Sequence, residues 1–382
     1  MFGQRITVFR LLGFEVKLDA SWLILAALIV WTLGTEVFPH YYPDLARELY
    51  WLMALGGTAG LFFSIVFHEL CHSLVARRFG VPLKGITLFV FGGVAEITRE
   101  PPSAKAEFLM AVAGPLSSLS LALIFLILNR AGRISSWPVS LTGVVSYVAF
   151  LNLMLAIFNL LPAFPLDGGR IFRSALWAWK KDLVLATRVA AMAGSGFAIL
   201  LMVGGIISLF TASPVAGIWW ILIGLFLKKA AETSYRQVLW QKFLEGQKVK
   251  QFMRPNPITV PSGISLQQFV EDFVYTYHHR VFPVVEDARL LGCIHVRALK
   301  NISKEEWPKR TVAELMEKCS LKNTVSPDED ANQVLTRMNR TGNTRLLVVE
   351  DEKLLGIVSL KDMLSFISLR LELEGAGQPS WL

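Results

Sequence analysis

Charged residues are scarce in this sequence. Asp, Glu, Lys and Arg together make up 18% of its 382 residues, whereas an average soluble domain has about 25%. Hydrophobic residues reach 53%. The shortage of charge excludes a disordered chain, which needs the opposite composition, and it argues against a purely soluble protein.

Cysteine is also rare. The three cysteines, Cys71, Cys293 and Cys319, are too few for the disulfide framework of a small secreted protein. We therefore expect them to be reduced thiols.

The charges are distributed unevenly along the chain. Residues 1–231 contain 29 charged residues, and the remaining 151 residues contain 39. We therefore predict a transmembrane domain over residues 1–231 and an ordinary soluble module after it. The predicted boundaries are a linker at 232–244, two repeated domains at 245–305 and 306–370, and a tail at 371–382.

The first part contains six apolar runs. A helix needs about 20 apolar residues to cross a bilayer, and the runs are close to this length. They lie near residues 21–39, 52–76, 106–129, 139–161, 184–210 and 214–228. The sequence thus predicts a polytopic α-helical membrane protein with about six transmembrane helices.

Lys and Arg predict the orientation of these helices. Six crossings put both termini on one side, and of the basic residues before residue 232 only Arg47, Arg130 and Arg133 lie on the opposite side. Positive loops stay in the cytoplasm, so both termini and the soluble module are predicted to be cytoplasmic, in a prokaryotic-type cell membrane. The net charge of +8 is then a signal of topology, and no nucleic-acid partner is needed to explain it.

Residues 83–100 separate the second and third runs and read LKGITLFVFGGVAEITRE. Their β-branched and aromatic residues, interrupted by Gly92 and Gly93, predict strands. Strands at membrane depth must be buried in protein or line a wet cavity. A plain cytoplasmic hairpin is the alternative.

The second run contains His68-Glu69-Leu70-Cys71-His72. Positions i and i+4 share one face of a helix, so both imidazoles can bind one metal ion. Glu69 between them is suited to take a proton from water. Ionisable residues inside an apolar helix are costly and usually functional. Cys71 points about 100° away from His72, and we interpret it as a packing residue.

A catalytic zinc ion needs a third protein ligand. None of the other four histidines is well placed, and no carboxylate occurs between residues 108 and 166. Asp167 follows this gap in a segment rich in Pro and Gly, where the chain can turn a side chain inward. It is the best candidate ligand, and capping of a helix that begins at Gly168 is the alternative role.

These motifs resemble those of the site-2 protease family, whose members are intramembrane zinc metalloproteases. The resemblance covers residues from about 1 to 231 and rests on the histidine motif, on Ala113-Gly114-Pro115, and on Asn159 followed by Pro165-Leu166-Asp167-Gly168-Gly169. It implies that His68, His72 and Asp167 bind one zinc ion and that Glu69 is the general base.

The same resemblance implies roles in substrate binding. Asn159 matches the family asparagine that binds the substrate carbonyl or oxyanion, and the Gly92-Gly93 strands resemble a small membrane-associated sheet that clamps an unwound substrate by strand addition. The family cleaves transmembrane segments of membrane-bound regulators. A transmembrane protein substrate and the lipid bilayer are therefore the expected partners.

The tail contains an internal repeat. Residues 282–292 align with residues 346–356, and VKQFMRP at 249–255 resembles VAELMEK at 312–318. This pattern resembles a CBS-domain pair, an α/β module that in many proteins binds adenosine nucleotides and self-associates. Ser359 and Asp362 match the Ser/Thr-x-x-Asp motif at the ribose, whereas Ala298 replaces the aspartate in the first copy. AMP, ADP or ATP binding and a structural homodimerisation tail both remain open.

Two other classes compete with the protease interpretation. One is a non-proteolytic zinc-binding membrane sensor or transporter with CBS regulation, and Glu69 argues against it because a pure binding site needs no base between its ligands. The other is a channel or transporter gated by CBS domains. That class predicts charged residues on several crossings, and this chain has essentially one such cluster.

Overall fold

The computed structural model describes residues 5–373, except residues 82, 91, 98, 99, 212, 288 and 352. The chain divides into two compact units, Met1–Val238 and Leu239–Leu382. The first unit contains the apolar helices, and the second contains the repeated tail. Of the predicted C-terminal tail at 371–382, residues 374–382 lie outside the described residues.

Long helices dominate the first unit. They are α1 (Ala20–Thr32), α2 (Phe38–Tyr41), α3 (Arg47–Arg78), α4 (Ala104–Ile134), α5 (Val139–Asn159), α6 (Asp167–Lys180), α7 (Leu183–Thr211) and α8 (Pro214–Leu244), with a π-helical segment at Leu33–Val37. With Ala20–Tyr41 taken as one stretch, the described residues contain six helices long and apolar enough to cross a membrane. The six apolar helices predicted from the sequence are confirmed, and α8 continues through residues 232–244, where we expected a linker.

The surfaces of these helices match a lipid environment. On α4, Leu123, Ile124 and Ile127 are each more than half exposed, which is unusual for side chains of this size on a soluble protein when they form a continuous face. The buried face of the same helix carries small residues, among them Gly114 and Ser118. Small residues allow neighbouring helices to approach closely inside a bilayer.

A four-stranded sheet accompanies the helices. Its strands β1 (Arg5–Leu11), β2 (Phe14–Asp19), β3 (Leu83–Phe89) and β4 (Gly92–Ile97) lie in that order. β2 and β3 are parallel, and the two other neighbouring pairs are antiparallel. The strands predicted around Gly92 and Gly93 are present as β3 and β4, and β1 and β2 extend the sheet beyond the prediction.

This sheet packs directly on α3. Val16 and Ile86 of the sheet share a buried cluster with Val66 and Leu70 of the helix. Val66 and Leu70 flank the first histidine of the motif in sequence. The sheet therefore fixes the part of α3 that carries the candidate metal ligands.

The second unit is built from short elements. Its helices are α9 (Leu266–Gln268), α10 (Tyr275–Tyr277), α11 (Val312–Leu315), α12 (Ala331–Thr341) and α13 (Leu360–Leu373), and a π-helical segment, Phe269–Val274, joins α9 to α10. Its strands are β5 (Arg254–Pro255), β6 (Val281–Glu286), β7 (Arg289–His295), β8 (Glu317–Lys318), β9 (Thr324–Val325), β10 (Arg345–Glu350) and β11 (Lys353–Ser359).

The predicted repeat forms two equivalent hairpins that interlock. Val284 faces Gly292 in β6–β7, and Val348 faces Gly356 in β10–β11. β5 of the first copy pairs with β11 of the second, and β8 of the second copy pairs with β7 of the first. This exchange gives one sheet of order β5-β11-β10-β9 and another of order β6-β7-β8.

Candidate metal centre

Two histidines of α3 lie one helical turn apart and face the same point. The Nε2 atoms of His68 and His72 are 3.1 Å apart, and their ring centroids are separated by 4.7 Å. His68 is buried and His72 is partly buried. The i, i+4 spacing that predicted convergence therefore brings both imidazoles together.

Asp167 completes a triangle of donor atoms. Its Oδ2 lies 3.1 Å from the Nε2 of His68 and 3.1 Å from the Nε2 of His72. Asp167 is the first residue of α6, whose N-cap is Leu166 and has no side-chain capping bond. The carboxylate thus faces the histidines, and the alternative role as the cap of this helix is not observed.

Two glycines allow the sharp turn that brings Asp167 inward. A Cβ atom at Gly168 would lie 2.2 Å from the carbonyl oxygen of Leu160, and one at Gly169 would lie 2.2 Å from the backbone nitrogen of Phe164. Any larger residue at either position would push α6 away from the chain that precedes it.

The other nitrogen of each imidazole is fixed by α4. The Nδ1 of His72 donates to the carbonyl oxygen of Met110 at 2.6 Å, and the Nδ1 of His68 lies 2.9 Å from the Oγ of Ser118. A carbonyl oxygen only accepts, so His72 has a proton on Nδ1, and in the neutral imidazole Nε2 then has the lone pair that a metal ion needs. Sequence reasoning missed both partners, since a backbone carbonyl and one serine among several carry no distinctive signal.

Gly114 provides the space in front of the imidazoles. A Cβ atom there would lie 2.1 Å from the Nε2 of His72 and 2.5 Å from the Nε2 of His68. The Ala113-Gly114-Pro115 motif therefore has a steric reason to contain glycine at its centre.

Glu69 lies against the β-sheet. A Cβ atom at Gly93 would be 2.7 Å from the Cγ and 3.1 Å from the Oε1 of Glu69. Gly93 pairs with Leu88, and the neighbouring Gly92 pairs with Phe89. The structure thus brings one of the two predicted substrate-binding glycines into contact with the predicted base.

Asn159 lies outside the triangle of donor atoms. It is the last residue of α5, and its Nδ2 donates to the carbonyl oxygen of Leu155 at 3.0 Å. This bond uses one of the two hydrogens of the amide nitrogen, and the predicted contact with a substrate carbonyl stays a prediction.

The donor triangle fits a zinc ion. Tetrahedral zinc with Zn–N and Zn–O bonds near 2.0–2.1 Å has its ligand atoms about 3.3 Å apart. All three edges of the observed triangle are 3.1 Å. Two histidines and one carboxylate leave a fourth position open, which is the arrangement of catalytic rather than structural zinc sites.

A buried ion pair anchors the helix that begins with Asp167. Arg173 of α6 is 2% exposed, its Nε donates to the Oε1 of Glu107 at 2.6 Å, and its Nη2 donates to the Oε2 of Glu100 at 3.0 Å. Glu107 belongs to α4, which also carries the partners of both histidines. Sequence reasoning treated Arg173 only as one of the cytoplasmic basic residues and missed this contact.

The predicted nucleotide residues lie in the second unit. Ser359 ends β11, and its hydroxyl is hydrogen-bonded to the carboxylate of Asp362 in α13. Arg254 of β5 donates from Nε and Nη2 to the Oδ1 of Asp362 at 2.8 and 2.6 Å. The Arg254 side chain is largely exposed, and sequence reasoning did not identify it.

Models of known protein families match both parts of the chain. The family model described as peptidase family M50 matches residues 56–133 and 130–203, and the CBS-domain model matches residues 249–305 and 308–369. The chain is 33% identical to the putative zinc metalloprotease Rip3 of Mycobacterium tuberculosis over 364 residues, which are 94% of this chain and 92% of that protein.

Two further matches come from Methanocaldococcus jannaschii. The zinc metalloprotease MJ0392 of Methanocaldococcus jannaschii is 33% identical over 371 residues, which are 97% of each chain. The solved structure of a site-2 protease from Methanocaldococcus jannaschii matches with 29% identity and a TM-score of 0.42, over 60% of this chain and 94% of that chain.

Proposed function

The chain belongs to peptidase family M50, the zinc metalloproteases of the site-2 protease type, and has a CBS-domain pair after the protease part; from this premise we propose that it hydrolyses peptide bonds in or near transmembrane segments of membrane-bound regulatory proteins. The observation that carries the proposal is the triangle of donor atoms from His68, His72 and Asp167. His68 and His72 belong to the apolar helix α3, and Asp167 follows the apolar helix α5 in sequence.

We assign the three triangle residues as zinc ligands. Zinc, when bound, polarises the scissile carbonyl and lowers the pKa of water. The carboxylate of Glu69 accepts the proton of the attacking water and transfers it to the leaving amide nitrogen. Ser118 and the Met110 carbonyl orient the two imidazoles while this occurs.

We propose that the substrate binds along β4. β4 is an edge strand of the sheet as described, so one side of its backbone can pair with an extended peptide. The contact between Gly93 and Glu69 supports this route, because a peptide paired with β4 passes close to the base. A substrate helix must unwind first, since its amides are otherwise bonded within the helix.

We further propose that both termini and the CBS pair are cytoplasmic. Arg77 and Arg78 end the helix that carries the histidines, and the positive-inside rule assigns that end to the cytoplasm. The active site then opens towards the cytoplasmic half of the membrane, where a released protein segment would be free to diffuse.

Regulation by an adenine nucleotide at the CBS pair is the second part of the proposal. Ser359 and Asp362 are arranged by hydrogen bonds, and the exposed guanidinium of Arg254 beside them suits a phosphate group. Ala298 leaves the first copy without the corresponding carboxylate. We therefore propose one nucleotide site per chain, and self-association through the CBS domains remains a prediction.

The decisive experiment compares two Glu→Gln variants of one helix. In proteoliposomes with a tagged transmembrane substrate, Glu69→Gln should retain zinc and lose at least about a hundredfold in cleavage rate, because it removes a general base. Glu48→Gln, in the first turn of the same helix, should cleave at the wild-type rate. Full cleavage by Glu69→Gln would overturn the mechanism.

A further inference from the structure

The two CBS copies have different residues at equivalent positions. Cys293 and His295 of β7 precede Ile357 and Ser359 of β11 by 64 residues, the offset of the repeat. In the exchanged strands, Glu317 of β8 corresponds to Arg254 of β5, since VKQFMRP aligns with VAELMEK. The strand register is the same in both copies: Cys293 pairs with Glu317 in the first sheet, and Ile357 pairs with Arg254 in the second.

The equivalent positions therefore have different chemistry. The second copy combines Ser359 and Arg254 around the carboxylate of Asp362. In the first copy that carboxylate is replaced by Ala298, and the positions of the isoleucine, serine and arginine hold a thiol, an imidazole and a carboxylate. All three are metal-ligating groups.

Strand geometry brings these three groups together. Residues i and i+2 of a strand share a face, so Cys293 and His295 project together, and Glu317 lies on the neighbouring strand. The Sγ of Cys293 is 3.8 Å from the Nε2 of His295, which is 3.7 Å from the Oε2 of Glu317. The three donor atoms lie within 4.8 Å of one another.

We propose that Cys293, His295 and Glu317 form a second zinc site, in the CBS pair. With Zn–S near 2.3 Å and Zn–N near 2.0 Å, a tetrahedral ion holds sulfur and nitrogen about 3.5 Å apart. The observed 3.8 Å is close to this value. Glu317 is half-exposed, so its side chain can rotate towards the ion, and one position remains for water.

A neighbouring side chain holds the thiol in place. The Nδ2 of Asn323 lies 3.7 Å from the Sγ of Cys293 and donates to the carbonyl oxygen of Lys318 at 2.9 Å, which fixes the thiol next to β8. Arg297 contacts only the other oxygen of Glu317, at 3.8 Å.

Apolar packing alone does not account for these residues. Cys293 is buried among Leu290 and Leu347, but the isoleucine of the second copy fills the equivalent position with a purely apolar side chain. Packing explains neither the imidazole two residues later nor the carboxylate on the paired strand.

Cobalt titration of the full-length, metal-free protein in detergent tests the proposal. Co²⁺ bound by a thiolate gives a charge-transfer absorption in the near ultraviolet, which the membrane triangle of two imidazoles and one carboxylate cannot produce. We expect this absorption in the wild type and in the double variant Cys71→Ser/Cys319→Ser, where Cys293 is the sole thiol. Cys293→Ser should abolish it.

His295→Gln and Glu317→Gln provide a second route, in case the buried Cys293→Ser variant does not fold. Each should weaken cobalt binding, measured by the same absorption, by at least about tenfold, because losses of this size follow even from changes outside the first ligand shell. Absence of the absorption in the wild type, its persistence in folded Cys293→Ser, or cobalt affinity within twofold of wild type in both Gln variants would overturn the proposal. No outcome depends on proteolysis.

Discussion

Gly114 and His72 are so close that a methyl group on residue 114 would lie 2.1 Å from the Nε2 of His72. Gly114 lies inside α4, directly before Pro115. The nearest atoms that a Cβ at Gly114 would meet belong to the imidazoles on the neighbouring helix. The close approach of α3 and α4 thus depends on one missing side chain.

The first prediction concerns this contact. Gly114→Ala should displace the imidazoles and lower the total bound zinc, measured by elemental analysis, by up to one ion per chain relative to the wild type, with a parallel loss of cleavage. Gly196→Ala is the matched control, because a Cβ at that helical glycine would have no atom of the described residues within 4 Å apart from its own helix backbone and chain neighbours. Normal zinc content in Gly114→Ala would show that the helices can separate without cost.

The second prediction concerns the orientation of His68. Ser118→Ala removes the hydrogen-bond partner of its Nδ1 and should weaken zinc binding about 10- to 100-fold, the usual effect of losing such a partner. Competition with a chelator measures the affinity. Ser120→Ala is the control, since its hydroxyl bonds only to its own helix at Leu116. Equal affinities of the two variants would contradict the role of Ser118.

The sequence predicts features that depend on local spacing. Apolar runs long enough to cross a bilayer predicted the six helices, and the i, i+4 spacing predicted that His68 and His72 would converge. Asp167 was identified as a candidate ligand because no other carboxylate occurs from residue 108 to residue 166, and its Oδ2 does reach both histidines. Its role as a zinc ligand remains a prediction.

Features that depend on distant partners were not predictable. Arg173 and Glu107 are 66 residues apart, and Arg254 and Asp362 are 108 apart. A single sequence contains no periodicity that connects such positions. The exchange of β5 and β8 between the repeats could not be predicted either. Because the two copies are similar in sequence, each short strand could equally pair within its own copy.

The third prediction concerns the nucleotide site. Calorimetry on the full-length protein should detect AMP or ATP binding, and Asp362→Ala should reduce the affinity at least about tenfold by removing a charge-assisted hydrogen bond to the ribose. Asp328→Ala, which loses only exposed ion pairs with Lys248 and Lys250, should bind as the wild type does. Absence of heat with every adenine nucleotide would support a purely structural CBS pair.

The fourth prediction concerns the ion pair that anchors α6. Arg173→Met leaves the Glu107 carboxylate buried without its main partner, which typically costs about 3–5 kcal/mol. The midpoint of thermal unfolding in detergent should fall accordingly. Lys180→Met, at the exposed end of the same helix, removes only a cation–π contact with Trp179 and should cost about 1 kcal/mol or less.

The double variant Arg173→Met/Glu107→Leu separates the loss of a bond from the burial of a charge. If the cost of Arg173→Met comes from an unpaired carboxylate, removing that carboxylate should restore much of the stability, because apolar replacement of both partners of a buried pair is often neutral. Arg173→Met should also lower the zinc content, because α6 positions Asp167, and the double variant should recover it. A double variant as unstable as Arg173→Met would instead assign the stabilisation to the guanidinium's other contacts, with Glu100 and with the ring of Phe164.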